Sequence, residues 1–250
     1  MTAESTEPTP CHPREGSPGE DFRTTRWTQI RRAKADSPQG RRALAELCNE
    51  YYEPVVAFLR CELRDADGAR ELAHDFFAHM LAGGAIAHAE QERGRFRSYL
   101  LGAVKHFLSH HREASRRLKR GGGAENISLN ETEAPSVPDA GVLSPDAAFD
   151  RQWALTVVAH ALEALRRECV AEGRADFFEQ VKPWLTGDAA RGDQAALAGR
   201  YGMNANALKV SVHRLKRRYR QLLKAEVAGT LADPGQVETE MRALFAALGS

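Results

Sequence analysis

Apolar residues along this chain recur every three or four positions, and no segment shows the strict alternation of a β-strand. Spacing of this kind places the apolar side chains on one stripe of an α-helix. The first stripe follows Asp36, Ser37 and Pro38, which supply a helix cap and a first-turn proline. Pro54 lies inside it and is expected to kink or divide the helix. The stripe residues are Leu44, Leu47, Cys48, Tyr51, Val55 and Phe58.

Two further stripes follow with the same spacing. One covers residues 68–81, where Gly83 and Gly84 are expected to end the helix, and the other covers residues 96–118. With a short helix near residues 25–34, they predict a compact helical domain over residues 21–120. The stripe residues are Ala69, Leu72, Ala73, Phe76, Phe77 and Met80, then Phe96, Tyr99, Leu100, Ala103, Val104, Phe107 and Leu108.

The composition changes at the three glycines 121–123. The run that follows is rich in Pro, Gly and acidic residues and has no Lys or Arg, so we predict a flexible acidic linker over residues 121–146. Its acids and those just after it are expected to stay mobile and away from DNA. They are Glu125, Glu131, Glu133, Asp139, Asp146 and Asp150. Residues 1–20, rich in Pro, Ser, Thr and Glu, are expected to form a disordered tail.

Helical spacing resumes after residues 144–146. One helix is marked by Leu155, Val158, Leu162, Leu165 and Cys169, and a second by Phe177, Phe178, Val181 and Leu185. With a tight pair of helices over about 194–223, they predict a second domain over residues 147–225. A C-terminal helical extension is expected over residues 226–250, starting near Asp233, with the apolar face Val237, Met241, Leu244, Phe245 and Leu248. The predicted fold is therefore all-α, with two small helical domains joined by a linker.

The formal net charge of +1 hides a strong segregation of charge. Residues 93–120, here called the first basic block, contain nine Lys or Arg and only Glu113 as an acid. Residues 194–224, the second basic block, contain eight Lys or Arg and no acid. Solvated helix faces usually alternate Glu with Lys, so two blocks depleted in acids favour binding to a polyanion.

The second basic block also has the pattern of a helix-turn-helix. Ala198 is small where two helices would cross, Gly202 can adopt the positive φ of a turn, and Met203 can fill the corner. Asn204 can cap the next helix, whose expected buried face is Leu208, Val212, Leu215, Tyr219 and Leu222. The start of such a helix enters the major groove. The candidate base contacts are Asn206, Lys209 and His213, and the candidate phosphate contacts are Arg214, Arg217 and Arg218.

Motifs for catalysis, metal binding or a cofactor are not found in the sequence. It has no HExxH, no Walker-type loop and no serine elbow, and its four cysteines lack metal-ligand spacing. Glu71 and Asp75 lie one helical turn apart and could hold a metal, although a surface patch for a basic partner is the simpler interpretation. We expect neither an enzyme nor a cofactor, and the unpaired cysteines suggest a reduced, cytoplasmic protein. No apolar run approaches the roughly 20 residues that cross a bilayer, so no membrane association is expected.

Three segments resemble the extracytoplasmic-function sigma factors of bacterial RNA polymerase. DGARELAHDFFAHML, at 67–81, resembles their second conserved region. GRFRSYLLGAVKHFL, at 94–108, with the cluster up to Arg120, resembles their helix that melts promoter DNA and reads the minus-ten element. Residues 197–219 resemble their fourth region, the helix-turn-helix for the minus-thirty-five element. The likeness covers the chain from about residue 22, and the part after 226 resembles a longer subgroup with an extra helix.

The resemblance implies core RNA polymerase and promoter DNA as partners, with an anti-sigma protein as a further candidate, and a monomer when free. It implies that the linker passes near the active-site channel of the polymerase. The residues that fall where the family docks on polymerase are Glu71, His74, Asp75 and Phe76, although His74 stands where a Gln is expected. The candidate contacts to the minus-ten region are Lys105, His106, Arg112, Arg116 and Arg117.

Two other interpretations remain open from the residues. A stand-alone helix-turn-helix repressor or activator would bind duplex DNA as a symmetric dimer, with the last helix as its dimerisation element. An RNA-binding protein could use both basic blocks, and His106, His110 and His111 could stack on unpaired bases. Gel filtration separates a monomeric sigma factor, which needs core polymerase for specific binding, from a dimeric regulator.

Overall fold

The computed structural model describes residues 33, 37–82, 95–121, 143–186, 194–231 and 233–249. These residues form eight α-helices and one short 3-10 helix, with no β-strand among them. The α-helices are α1 Pro38–Leu63, α2 Ala66–Leu81, α3 Phe96–Gly121, α4 Pro145–Ala171, α5 Ala175–Thr186, α6 Gln194–Arg200, α7 Ala205–Gly229 and α8 Val237–Gly249. The prediction of an all-α fold is confirmed. None of the described helices has an apolar stretch long enough to cross a bilayer.

Several predictions concern positions outside the described residues. They are the tail at 1–20, nearly all of the helix near 25–34, the glycines at 83 and 84, and the linker at 122–142. Of the predicted linker 121–146, residues 121 and 143–146 are described. Three of these five are helical, because α3 ends at Gly121 and α4 begins at Pro145, which corrects the prediction at both ends of the linker. Ser144 caps this helix by accepting a hydrogen bond from the Ala147 N–H at 3.2 Å.

Helix α1 forms as the capping pattern predicts, but Pro54 does not divide it. The hydroxyl of Ser37 accepts a hydrogen bond from the Gly40 N–H at 3.0 Å, and the helix continues unbroken to Leu63. Pro54 is itself buried within the apolar face, which packs on α2 and α4. The burial of this face on both sides of Pro54 offsets the one backbone hydrogen bond that the proline lacks, so the helix is not divided at this position.

Helix α2 has the buried face that its spacing predicts. Asp65 caps it by accepting hydrogen bonds from the backbone N–H groups of Asp67 and Gly68 at 3.1 and 3.2 Å. The helix therefore starts at Ala66, two positions before the predicted start. All six predicted stripe residues are buried: Ala69, Leu72, Ala73, Phe76, Phe77 and Met80.

Helix α4 joins the two halves of the chain into one core. It packs on α1 from the first half, and on α5, α7 and α8 from the second. The buried residues form a single continuous cluster that includes Phe58 and Leu100 as well as Trp153 and Leu215. In this conformation the parts predicted as domains 21–120 and 147–225 thus share a core.

The predicted stripe on α4 is only partly correct. Leu165 and Cys169 are buried as expected, but Leu155 is 44% exposed. Because α4 contacts several helices, its buried residues lie on more than one face, and no single stripe describes them. They are Phe149, Trp153, Ala154, Val157, Ala161, Ala164, Leu165 and Cys169.

The C-terminal helix α8 follows a 3-10 turn at Pro234–Gln236. Asp233 accepts a hydrogen bond on its side chain from the Gly235 N–H at 2.8 Å, which supports the predicted helix start. Met241 and Leu244 are buried as expected, whereas Phe245 is 56% exposed. The position that the pattern missed is Glu240, which is fully buried although it is charged.

Candidate nucleic-acid interface

The connection between α6 and α7 has the predicted turn chemistry. Gly202 has a φ of 60°, in the left-handed region where glycine carries no Cβ penalty. The Met203 N–H donates to the Ala198 carbonyl at 2.8 Å, and Ala198 is buried where the helices meet. Asn204 then caps α7 by accepting a hydrogen bond on Oδ1 from the Ala207 N–H at 2.7 Å. These contacts fix the direction in which α7 leaves the turn.

The buried face of α7 determines which side chains face outward. Leu208, Leu215 and Leu222 are buried, and Val212 and Tyr219 are partly buried against the core. The Tyr219 hydroxyl donates to the Val158 carbonyl on α4 at 3.3 Å, and burial raises the pKa of this phenol. All five predicted inward positions therefore face the core.

The opposite side of α7 carries cations without acidic partners. Lys209, Arg214, Lys216, Arg217 and Arg220 are exposed, and none of them forms an ion pair with another residue in the described part of the chain. His213 is exposed among them, and Asn206 is exposed in the first turn. We call the six basic side chains the open basic face: Lys209, His213, Arg214, Lys216, Arg217 and Arg220. Side chains that hold no internal acid are available to phosphates.

Arg218, predicted as a phosphate contact, does not belong to this face. Its Nε and Nη2 donate to the two carboxylate oxygens of Glu168 on α4 at 2.8 and 2.6 Å. The hydrogen bond with Glu168, together with its charge, raises the pKa of Arg218 against the effect of partial burial. Such a two-point pair is the strongest geometry for a guanidinium and a carboxylate, so Arg218 ties α7 to α4.

An apolar groove lies beside the open basic face. Trp184, at the end of α5, lines a cavity of about 200 Å³ together with Leu208 and Val212, and the cations Lys209 and Lys216 border it. An apolar side chain in this place can contact the methyl group of thymine. Trp184 was not among the predicted site residues. It lies three positions after Val181, on the apolar stripe of α5, and that spacing predicts a core position without showing that the ring borders α7.

Several cations of the first basic block, unlike those of the open basic face, are paired with acids inside the protein. The most buried of them is Arg97, at the start of α3. This residue is only 8% exposed, and its Nε donates to Oε1 of Glu240 on α8 at 2.6 Å. It also pairs with Asp150 on α4, and its guanidinium lies 4.5 Å from the ring centroid of Trp153. Burial alone lowers the pKa of Arg97, but Glu240 and then Asp150 outweigh it and raise this pKa.

A second arginine reaches the same buried carboxylate. Nη1 of Arg95 lies 2.8 Å from Oε2 of Glu240. This oxygen has no well-directed hydrogen bond, so the contact with Arg95 is an ion pair in character. The fully buried Glu240 thus holds two guanidinium groups from the first basic block.

Two further members of the first basic block are paired with acids from other helices. Nζ of Lys105 lies 2.7 Å from Oδ2 of Asp146 on α4. Nη2 of Arg112 lies 2.9 Å from Oε2 of Glu62 on α1. Asp146 and Asp150, predicted to be mobile linker acids, are therefore helical residues with ion-pair partners, which corrects that prediction.

The remaining candidates for the minus-ten region are exposed. Arg117 lies 3.9 Å from Glu113, one turn earlier on the same helix, and Arg116 has no ion pair with a described residue. His106 and His110 approach to 3.2 Å between their Nε2 atoms. These side chains share the outer surface of α3 with Lys105 and Arg112.

The candidate polymerase contacts separate into surface and core. Glu71 and Asp75 are exposed on α2, and His74 is exposed between them. The His74 ring stacks on Tyr52 at 5.3 Å, with 2.9 Å between its Nε2 and the Tyr52 hydroxyl. Phe76 is 1% exposed and packs edge-on against Phe77 and Phe107, so it faces away from any partner in this conformation.

The described residues contain no group of three His, Cys, Asp or Glu side chains that could hold a metal ion. Cys48, Cys61 and Cys169 are free thiols, and burial raises the pKa of Cys48 to about 11. Comparison with family models, curated proteins and solved structures found no match to the chain.

Proposed function

We propose that this protein is a sigma factor, which binds core RNA polymerase and directs it to promoters. The observation that carries this proposal is the open basic face, presented by a capped helix directly after a tight turn at Gly202. A helix behind such a turn fits the major groove of B-DNA, which is about 12 Å wide. The function also accounts for the acid-poor composition of both basic blocks.

The order of side chains along α7 supports different contacts with DNA at its two ends, to bases near the start and to phosphates further along. Asn206, Lys209 and His213 lie in the first turns, which enter the groove deepest in a helix-turn-helix. Arg217 and Arg220 lie one and two turns further on, where an inserted helix rises towards the phosphates. The proposal assigns base reading to the first group and backbone contact to the second.

The proposal places core polymerase on the exposed side of α2. Glu71 and Asp75 lie one turn apart there, and neither has an ion pair with a described residue. Two uncompensated carboxylates on a helix whose other face is buried suit a basic surface on a partner. The resemblance of residues 67–81 to the polymerase-binding region of the family supports the same placement. Such a protein works in the cytoplasm and needs neither a cofactor nor a catalytic residue of its own.

A second candidate function is that of a stand-alone helix-turn-helix regulator. It is favoured by Phe245, whose large apolar side chain is 56% exposed on α8. In a symmetric dimer this side chain would be covered by the second copy. The regulator would then bind its operator without polymerase.

In vitro transcription with core polymerase and genomic fragments of the source organism tests the proposal. We expect specific initiation that depends on the protein, and loss of initiation in a Lys209→Ala, Arg217→Ala double variant. Arg42→Ala on the exposed surface of α1 is the matched control and should initiate normally. Specific binding of duplex DNA by a dimer without polymerase would instead establish the regulator.

A further inference from the structure

We propose that His106 and His110, on the outer surface of α3, bind a divalent metal ion that prefers imidazole ligands and tetrahedral geometry, for which Zn²⁺ is the best fit. Water completes the coordination in the free protein, and a phosphate oxygen of bound DNA replaces one water in the complex. The metal site goes beyond the proposed function, whereas its link to DNA rests on that function.

The two histidines have the spacing of a metal-binding pair. They are one turn apart within α3, so the helix holds both rings on one face. Two histidines bind zinc with this spacing on a helix of the metalloproteases, where a Glu after the first histidine acts as the base. Phe107 takes the place of that Glu here, and its ring packs on Phe76. The pair therefore has the ligand spacing of such a helix without its hydrolytic base.

The distance between the ligand atoms favours a tetrahedral ion. The two Nε2 atoms are 3.2 Å apart and the ring centroids 4.4 Å apart, so the rings face each other through these nitrogens. A tetrahedral ion with Zn–N bonds of about 2.0–2.1 Å has ligand atoms about 3.3–3.4 Å apart. A square-planar ion with bonds of the same length would need them about 2.8–3.0 Å apart. The observed separation is closer to the tetrahedral one.

Both rings are accessible to an ion from solvent. Each is exposed, and the contact between them is the only hydrogen bond that either ring makes within the described ranges. A Cβ placed on Gly102, one turn before His106, would meet no atom within 4 Å, so the surface beside the pair is open. Before the ion binds, one Nε2 donates its hydrogen to the other. Binding moves that hydrogen, through water, to Nδ1 of the same ring, and both Nε2 lone pairs then reach the ion.

The charges around the pair are balanced although it lies within the first basic block. The cations on either side of it in the chain hold acids from other helices, at 2.7 Å for Lys105 and 2.9 Å for Arg112. Glu113 lies three positions after His110, on the same side of α3, and its ion pair with Arg117 is long, at 3.9 Å. These acids offset the repulsion that the cations would exert on a divalent ion.

The open coordination positions connect the site to DNA. Two histidines fill two positions of a four-coordinate ion, and no third His, Cys, Asp or Glu of the described residues completes the group. Zinc with an incomplete set of protein ligands keeps exchangeable water. The pair shares the outer surface of α3 with the candidate minus-ten contacts, so a phosphate oxygen is the ligand close at hand. The bound ion adds two positive charges to this surface, and its effect follows the supply of the metal.

Titration of the full chain with ZnCl₂, with its thiols kept reduced, tests the site. His106→Gln and His110→Gln each remove one ligand. His111→Gln is the matched control, since this residue is the exposed neighbour that takes no part in the pair. Calorimetry measures the affinity, and the ¹⁵N shifts of the imidazole rings identify the nitrogens that bind. All three positions are exposed on α3, so each variant should keep the helical circular dichroism of the wild type.

Zinc should shift the Nε2 signals of His106 and His110 together, in one binding step. Loss of either histidine should weaken that step at least about tenfold, because the second ligand no longer binds within the same molecule. His111→Gln should leave the affinity unchanged. Equal affinity in the wild type and both pair variants would overturn the inference, and so would shifts confined to other histidines.

The link to DNA is measured by anisotropy with a fluorescent duplex, with and without ZnCl₂. Zinc should tighten binding by about two- to fivefold in the wild type and in His111→Gln, as for one exposed ionic contact, but not in His110→Gln. An equal effect of zinc in the wild type and His110→Gln would overturn the link to DNA. If no variant binds DNA under any condition, with or without core polymerase, while the histidine pair still binds zinc, the proposed function fails and the metal site stands.

Discussion

Arg218 on α7 donates hydrogen bonds to both carboxylate oxygens of Glu168 on α4, whereas its neighbour in the chain, Arg217, has no acidic partner among the described residues. Two adjacent arginines of one basic helix therefore have different roles. Arg218 holds α7 to α4, and Arg217 keeps the free guanidinium that the proposed phosphate contact needs. Substitutions at these two neighbouring positions should therefore affect different properties, DNA binding at Arg217 and stability at Arg218.

Replacing each arginine by alanine should show this separation. Arg217→Ala should reduce the salt slope of duplex binding by about one, because one phosphate contact is lost. Arg218→Ala should leave the slope unchanged and lower the free energy of unfolding by less than about 1 kcal/mol, because the ion pair is partly exposed. Anisotropy titrations in KCl and urea unfolding measure the two quantities. Equal losses of slope would contradict the assignment of Arg218 to the core.

Lys209→Ala should relax sequence preference within the upstream promoter element. Lys209 lies in the second turn of α7 and borders the groove at Trp184, so its ammonium group can reach base edges. A base contact contributes about 1–3 kcal/mol of discrimination, whereas a phosphate contact affects all sequences alike. Initiation from a randomised element compares this variant with Arg217→Ala. If Lys209→Ala weakened all sequences equally while Arg217→Ala changed the preferred one, the register proposed for α7 would be wrong.

Alanine substitutions at two nearby glycines test whether the turn between α6 and α7 requires a glycine. Gly202→Ala should destabilise the protein by about 1–2 kcal/mol, because its φ of 60° is unfavourable for any residue with a Cβ. Gly199→Ala is the control: its Cβ would meet no atom within 4 Å, and the position is helical. That change should be neutral or stabilise by up to about 1 kcal/mol. Urea midpoints decide, and equal midpoints would refute the role of Gly202.

The double variant Glu71→Lys, Asp75→Lys should lose affinity for core polymerase while keeping its helical circular dichroism. Both carboxylates are exposed on α2, so reversing them leaves the buried face intact. The control is Glu163→Lys, an exposed acid on α4. Co-purification with core polymerase is the measurement. Normal co-purification of the double variant would move the docking surface away from α2.

Cys48 should resist alkylation in the folded protein. Burial raises the pKa of its thiol to about 11, so the reactive thiolate is scarce at pH 8. Its rate with iodoacetamide should be at least about tenfold below that of the unfolded chain, after allowing for the greater intrinsic reactivity of a basic thiolate. The rate should rise with pH until about pH 11, since the raised pKa delays ionisation. Peptide mass spectrometry measures this residue, and a plateau near pH 9 would contradict the pKa.

How well the sequence predicts the buried residues of a helix depends on how many faces of that helix are buried. Helices α2 and α7 each bury one face, so their spacing identified Phe76 and Leu215 as core residues and Lys209 as exposed. Helix α4 packs against helices on several sides, and a one-stripe pattern therefore misplaced Leu155. The spacing of apolar residues therefore identifies the buried positions of a helix only when the helix buries a single face.

Long-range ion pairs could not be predicted, because their partners are far apart in the chain. Arg218 and Glu168 are 50 residues apart. Glu168 lies on α4, well before the turn at Gly202 in the chain, so the helix-turn-helix pattern does not include it. Glu240 lies outside the apolar face predicted for α8, so its charge suggests a surface position. Only the meeting of α3, α4 and α8 explains why it is buried.

Arg97 and Glu240 are 143 positions apart in the chain, and this separation also sets an order of events during synthesis. At about 5–20 residues per second, a ribosome adds Glu240 roughly 7–30 seconds after Arg97. For most of that interval the nascent chain contains the residues of α1 to α3 but not the carboxylate that completes the buried cluster. Contacts of such long range also slow folding, because a large loop must close before they form. A newly made molecule therefore passes through a period in which its arginines are open to cellular polyanions, and rapid closure of the last helix would limit that exposure.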